Sequence, residues 1–482
     1  MFTPSHADLV AIAPEIILTI AAGLMLVLEA FLPRIRRYMS ELTIAAVFAA
    51  MWARLYWALP GEVWAGMLRI DQTAAFVDLY ILAALLLTVW MAGPFLRRTK
   101  HECGEFYSLL LLATVGAMVM ASAQNLLPVF LGLELLSIPL YVLNAFLRRH
   151  EVSVEAGLKY FIVGAFASAF VVYGMALLYG GAAGTDLETI GRLVVAAGSL
   201  NPLVAVGLAM VIGGLAFKLA LVPCHGWAPD VYQGSPTPVT AFLAVVPKGA
   251  ALVVLLRLVE GMDLLHLSPG WVLAASIIAV ASQTLGNIVA IVQRDIKRML
   301  AYSGVAHMGY ALVAVIVAGV DGGAAVLVYL AAYTLMNMGA FASIAMLSER
   351  EDRPHLISDL HGQGYQRPIA ALALTTCLFS LAGVPPFVGF TAKFVVFRAA
   401  INEGLLWLAV VGVVNSLISA FYYLRVVYAM YMRPLPRREP VFRFSLPIAA
   451  VAAIAALGVL LLGVYPTPVL DAAYTAILGL VR

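Results

Sequence analysis

Between Arg443 and Asp471 the chain reads FSLPIAAVAAIAALGVLLLGVYPTPVL, with no charged residue at all. A helix needs roughly 20 apolar residues to cross the hydrocarbon of a bilayer, and this run supplies them. Comparable runs recur along the whole chain, beginning with Leu9 to Phe31. Charged residues make up 11% of the sequence and hydrophobic ones 63%, whereas a soluble domain carries about 25% charged residues. So few charges cannot clothe a water-facing surface. In lipid every backbone N–H and C=O must be paired within the segment, which leaves the helix as the unit for runs of this length. The expected fold is therefore an all-α polytopic membrane protein.

Breaks in hydropathy divide the chain into about fourteen transmembrane helices. The division between the fourth and fifth falls at Gln124-Asn125. Lysine and arginine favour the cytoplasmic side of a membrane. They crowd the loops after odd-numbered helices, as in Arg34/Arg36/Arg37, Arg97/Arg98/Lys100, Arg148/Arg149 and Arg294/Lys297/Arg298. Loops after even-numbered helices and the C-terminus hold Arg69, Arg192 and Arg482. This asymmetry places the odd loops in the cytoplasm and both termini outside. Two helices carry internal breaks, 200–231 at LVPCHGWAP and 368–402 at LAGVPPFVG. Proline removes a donor and clashes with the preceding turn, and matching interruptions point to a duplicated unit. Residues 1–100 would form helices 1–3, 101–265 a first five-helix repeat with broken helix 7, 266–435 a second with broken helix 12, and 436–482 helix 14. Because five is odd, the second repeat enters from the opposite side and the two are inverted.

Several function classes drop out. Cys103, Cys224 and Cys377 stand far apart, with no spacing for a metal, an iron–sulfur cluster or a disulfide framework. No glycine-rich nucleotide fingerprint appears where a strand and helix could use it. The net charge of +3 is scattered over short loops, so no nucleic-acid surface is expected. The N-terminus lacks the positive start of a signal peptide, and its first apolar run reads as a retained span.

The chemistry must lie in the charges placed inside spans. Glu134, in the middle of PVFLGLELLSIPLYVL, costs about 2.5–3.5 kcal/mol to insert and should face protein or water beside a cationic partner. Lys218 closes the first half of helix 7, Lys248 lies in the middle of helix 8, and Lys393 follows the break in helix 12. Burial favours the neutral amine and a nearby carboxylate the ammonium, so a buried lysine can take up and release a proton where an arginine cannot. Lys159, early in helix 6, fits either a proton carrier or an anchor snorkelling to the interface. His225, at the first break, fits a relay or a cap on freed carbonyls. His307 reads as a satisfied polar contact first and a relay second. Asp230 reads as a turn residue, Arg54, Arg398 and Arg425 as snorkelling side chains, and Tyr and Trp near span ends as interfacial anchors.

Three stretches carry a family resemblance. They are HGWAPDVYQGSPTPVTAFLAVVPKGAAL, QRDIKRMLAYSGVAHMGY and LAGVPPFVGFTAKF. Together they resemble the antiporter-like membrane subunits of respiratory complex I over nearly the whole chain, with the DVYQGSPTPVTAF form and the TAKF lysine matching the N-type branch. The resemblance implies a proton-translocating subunit with no redox centre of its own. It implies a Glu134–Lys218 pair, a central Lys248 and a terminal Lys393 on a mid-membrane axis that also takes in Lys159 and His225. Two half-channels would join that axis to either side. No cofactor is expected on this subunit; NADH, FMN, iron–sulfur clusters and quinone belong to partner subunits. The expected partners are an M-type antiporter-like subunit, small K-, J- and A-type subunits and lipid, in a bacterial inner membrane. A subunit of an Mrp-type cation/proton antiporter or of a membrane-bound hydrogenase would carry similar charges, and a quinone-binding subunit is a further rival.

Overall fold

The computed structural model describes residues 5–57, 60–197, 201–262, 264, 269–347, 356–434 and 445–481. Among them, twelve helices are long and apolar enough to cross a membrane. In chain order these are α2 (Ala13–Phe31), α4 (Gln72–Thr99), α5 (Gly104–Ser122), α6 (Leu126–Asn144), α7 (Glu151–Ala182), α9 (Pro202–Leu219), α11 (Thr237–Gly261), α12 (Pro269–Val292), α13 (Ile296–Val317), α14 (Gly319–Leu347), α17 (Leu406–Met432) and α18 (Leu446–Val464). The two remaining expected spans are also helical. One is α3 (Met39–Tyr56), which carries Glu41 and Arg54; the other is split into α15 (Pro368–Ala382) and α16 (Val388–Asn402). The first broken helix is likewise split, with α9 followed by the short α10 (Trp227–Gly234).

Polar residues at the ends of apolar runs set the boundaries. Asp71 caps α4 by accepting from the Ala74 N–H, and Asn125, Asn201 and Asp295 do the same for α6, α9 and α13. Each satisfies a first-turn donor that has no partner inside the helix. The division at Gln124-Asn125 thus falls at a cap. Where α5 and α6 cross, Gly116 and Gly132 face each other. A methyl at position 116 would stand 2.6 Å from the Gly132 carbonyl oxygen, so the two backbones touch as small residues permit in lipid, where packing drives helix association.

The core is built around α11, which is buried along its whole apolar length, while α2 and α7 leave most of theirs facing outward. Helices α4, α5, α9, α13 and α14 pack around it. A helix that is apolar on every face belongs in such an interior.

Some elements lie outside the expected spans. A hairpin pairs Gly61–Val63 with Leu68–Ile70, and α8 (Leu187–Ala197) follows α7, while α1 (His6–Ala11) takes up the start of the expected first span before α2 begins. The region after the last span also forms a helix, α19 (Thr467–Val481), rather than a short tail. It returns to the start of α4, where the Thr73 hydroxyl donates to the Ala476 carbonyl at 2.9 Å. Two expected snorkelling arginines do not snorkel. Arg54 is buried between Glu15 and Asp78, at 2.7 Å from each. Arg425 donates to the carbonyls of Ile291 and Gln293 at the end of α12, which otherwise lack intrahelical partners. Arg398 stays half exposed, 2.6 Å from the Tyr474 hydroxyl. The basic loop residues Arg350, Arg353, Arg437, Arg438 and Arg443 lie outside the described residues.

Candidate functional site

The first break begins at Ala220, which adopts a left-handed conformation (φ 55°). Pro223 prevents the helix from resuming, and the exposed Val222 N–H donates to the Ser282 hydroxyl of α12 at 3.0 Å. Lys218 therefore sits in the last turn of α9, where the helix dipole favours a cation. Its ammonium, 2% exposed as a residue, lies 3.4 Å from the Tyr160 hydroxyl and over the rings of Tyr160 and Tyr141, at 5.2 and 5.6 Å from their centroids. Tyr160 stacks on Trp227, the first residue of α10, whose indole N–H donates to the Phe217 carbonyl at 3.0 Å. Glu134 on α6 is close enough for its charge to act on Lys218. The expected direct pair is not formed: among the described residues no ion pair joins them, and the buried Glu134 Oε1 has no hydrogen-bond partner.

After the break, α10 contributes Tyr232 to the next lysine. Lys248 is wholly buried on α11, its Nζ 5.5 Å from the centre of the Tyr232 ring. A methyl at Gly304 on α13 would meet the Lys248 Nζ at 2.8 Å and the Tyr333 hydroxyl at 2.9 Å. The Lys248 ammonium and the hydroxyls of Tyr232 and Tyr333 thus converge on a spot, Gly304, where α13 has no side chain. None of the three has a hydrogen-bond partner among the described residues.

The second break ends α15 at Gly383, also left-handed (φ 87°). Lys393 reaches back from α16 and donates to the Leu381 and Ala382 carbonyls at 3.0 and 3.1 Å. It therefore neutralises the carbonyl end of the half-helix it follows. Its ammonium also lies 4.9 Å from the centre of the Tyr310 ring.

His307 stands between the last two lysines. It is buried on α13, with Nδ1 2.6 Å from the Tyr329 hydroxyl and Nε2 3.3 Å from that of Tyr423, which in turn bonds Ser303. The charges of Lys248 and Lys393 both act on it, and both of its ring nitrogens are engaged by tyrosine hydroxyls. The residue that the sequence favoured least is thus placed centrally. His225 is half buried at the first break, its Nδ1 without a partner and its ring 6.4 Å from that of Tyr302.

Lys159 lies apart from this line. It is part exposed and pairs with Glu155 and Asp230, each at 2.7 Å. Asp230 is not in a turn: it lies in the first turn of α10 and pairs with Arg298 of α13 at 2.6 Å as well. The tyrosines were the residues missed. Tyr160, Tyr232, Tyr310, Tyr329, Tyr333 and Tyr423 are buried; for all but Tyr232, which adjoins the expected span end at 231, a position away from span ends was the available signal against reading them as anchors.

This fold, with two interrupted helices and amines buried at and between the interruptions, defines an antiporter-like membrane subunit. The family model described as "NADH:quinone oxidoreductase/Mrp antiporter, TM" matches residues 123–419. The chain is 39% identical to NADH-quinone oxidoreductase subunit N of Trichlorobacter lovleyi over 98% of its own length and 97% of that protein. It is 42% identical to subunit N 2 of Roseiflexus castenholzii over 95% and 94%. A chain of respiratory complex I from Thermus thermophilus, solved with bound aureothin, superposes with a TM-score of 0.83 at 33% identity, covering 96% of this chain and all of that one. The chain belongs to the NADH-quinone oxidoreductase subunit N family, as a multi-pass membrane subunit of the multi-subunit complex I.

Proposed function

We propose that this chain carries protons across the membrane along a line running from Glu134 through Lys218, Lys248 and His307 to Lys393. What supports it most is that three amines, only 2, 0 and 4% exposed, sit in the membrane interior beside groups that suit a mobile proton. An ammonium drawn towards Glu134 keeps its proton, and one parted from it gives the proton up. Lys248, with two unpartnered hydroxyls around its Nζ, would receive it through bridging water. His307 would pass it to Lys393, which exchanges its carbonyl partners for solvent on release.

Protons would enter from the cytoplasm near Lys218 and Lys248 and leave outside near Lys393, with the arginine-rich loops cytoplasmic and both termini outside. His225 would carry protons at the first break, while Lys159, Asp230 and Arg298 would line the entry. Helices α5 to α11 and α12 to α17 would be the two inverted repeats. Electron transfer from NADH to quinone in other subunits would drive the cycle. This chain would pack against an M-type antiporter-like subunit and the small K-, J- and A-type subunits in a bacterial inner membrane.

Lys218→Ala and Glu134→Ala in the intact complex should each reduce NADH-driven proton pumping while the complex still assembles. Normal pumping in both would sink the relay.

A further inference from the structure

The first three spans hold buried charges that the lysine line does not use. Arg54, near the end of α3, lies between Glu15 of α2 and Asp78 of α4, and all three residues are at most 5% exposed. A second pair lies close by: Arg257 of α11 holds Asp71 at 2.9 Å and donates to the Ala121 carbonyl at 2.9 Å. The pair balances; the triad does not, since it sets two carboxyls against one guanidinium. An uncompensated ionised carboxylate sealed in hydrocarbon is far costlier than the same group protonated.

We propose that the Glu15–Arg54–Asp78 triad is a proton-binding site, with its proton on Asp78. Geometry chooses between the acids. Glu15 accepts a hydrogen bond of 2.7 Å from the Arg54 Nη2 and keeps slight exposure, so it is the better-supported anion. Asp78 is wholly buried; its Oδ2 lies 2.7 Å from the same Arg54 nitrogen, yet among the described residues neither of its oxygens has a partner in hydrogen-bonding geometry. The charged and titratable groups facing Asp78 are Arg54 from α3, Glu15 from α2, Asp71 and Tyr80 from its own helix, and Arg257 from α11. Tyr80 turns its hydroxyl onto Gly249, beside Lys248, and Arg257 is engaged by Asp71, so Arg54 is the cation in direct contact with Asp78. Arg257 lies nine residues beyond Lys248 on α11, about 13 Å along the axis at the usual rise. Among the described residues no hydrogen bond or ion pair joins the triad to Lys248, so the site is not a member of the lysine line. It lies towards the membrane face opposite the arginine-rich loops.

Infrared spectroscopy of the intact complex tests this. Wild-type protein should show a protonated-carboxyl C=O band, shifted by exchange into deuterium oxide, that is lost in Asp78→Asn. Asp78→Asn should assemble at the wild-type level, because the amide replaces a neutral acid of the same shape. Glu15→Gln combined with Asp78→Asn should lower assembly several-fold, because Arg54 then has no counterion. A band unchanged in Asp78→Asn, or normal assembly of the double variant, would overturn the site. Neither result depends on the lysine relay: normal pumping in Lys218→Ala would leave this band untouched.

Discussion

The two helix breaks use the same backbone device and hold their lysines differently. Each turns through a left-handed residue, Ala220 in the first and Gly383 in the second. At the first break the lysine precedes the turn and leans on aromatic faces, with one hydroxyl at 3.4 Å and an acid nearby but unbonded. At the second the lysine follows the turn and is bonded to two carbonyls that the break itself frees. A cation held by rings and a distant charge can shift without breaking a strong bond, whereas a cation serving as a helix cap cannot. The first break is thus suited to respond to its surroundings and the second to hold its proton until the carbonyls find another partner.

Four comparisons probe that contrast. The largest effect should come from Lys393→Arg. An arginine can still cap the Leu381 and Ala382 carbonyls but does not release its proton, so pumping should drop at least about tenfold while assembly persists. Proton uptake per NADH oxidised by vesicles reads this, and near-normal pumping would make Lys393 a cap alone. Next, Lys393→Ala should destabilise more than Lys218→Ala by about 1–3 kcal/mol, because only the former strands buried carbonyls. Thermal unfolding of the purified complex ranks the pair. Gly383→Ala should cost about 1–2 kcal/mol for the left-handed backbone, since a methyl there would also stand 3.1 Å from the Lys393 Cδ. The smallest change should follow Ala220→Gly. Relief of about 1–2 kcal/mol of backbone strain is largely offset by the lost burial of a methyl, worth about 0.8 kcal/mol. A melting shift as large as that of Gly383→Ala would show that the two turns are not equivalent.

Much of this architecture could be read from residue order alone, because lipid makes span length and charge placement nearly sufficient. The breaks at Pro223 and Pro385, the division at Gln124-Asn125 and the interior position of Lys248 all followed from that. What eluded the sequence depends on which faces meet across helices. Arg54 sits near a span end, where snorkelling is the cheaper expectation, and only the folded bundle brings Glu15 and Asp78 to it. Asp230 sits in a proline- and glycine-rich passage that reads as a turn, yet its helix resumes at Trp227. His307 read as a satisfied polar contact, but its partners could not be named because Tyr329 and Tyr423, like Lys393, lie 22 or more positions away in the chain.

Asp230 is one carboxylate with two claimants, Lys159 on α7 and Arg298 on α13. Its oxygens are divided between them, so a shift of α10 towards either neighbour tightens one contact at the expense of the other. One carboxylate thus ties three helices together at the first break, and taking away its charge would loosen both flanks at once.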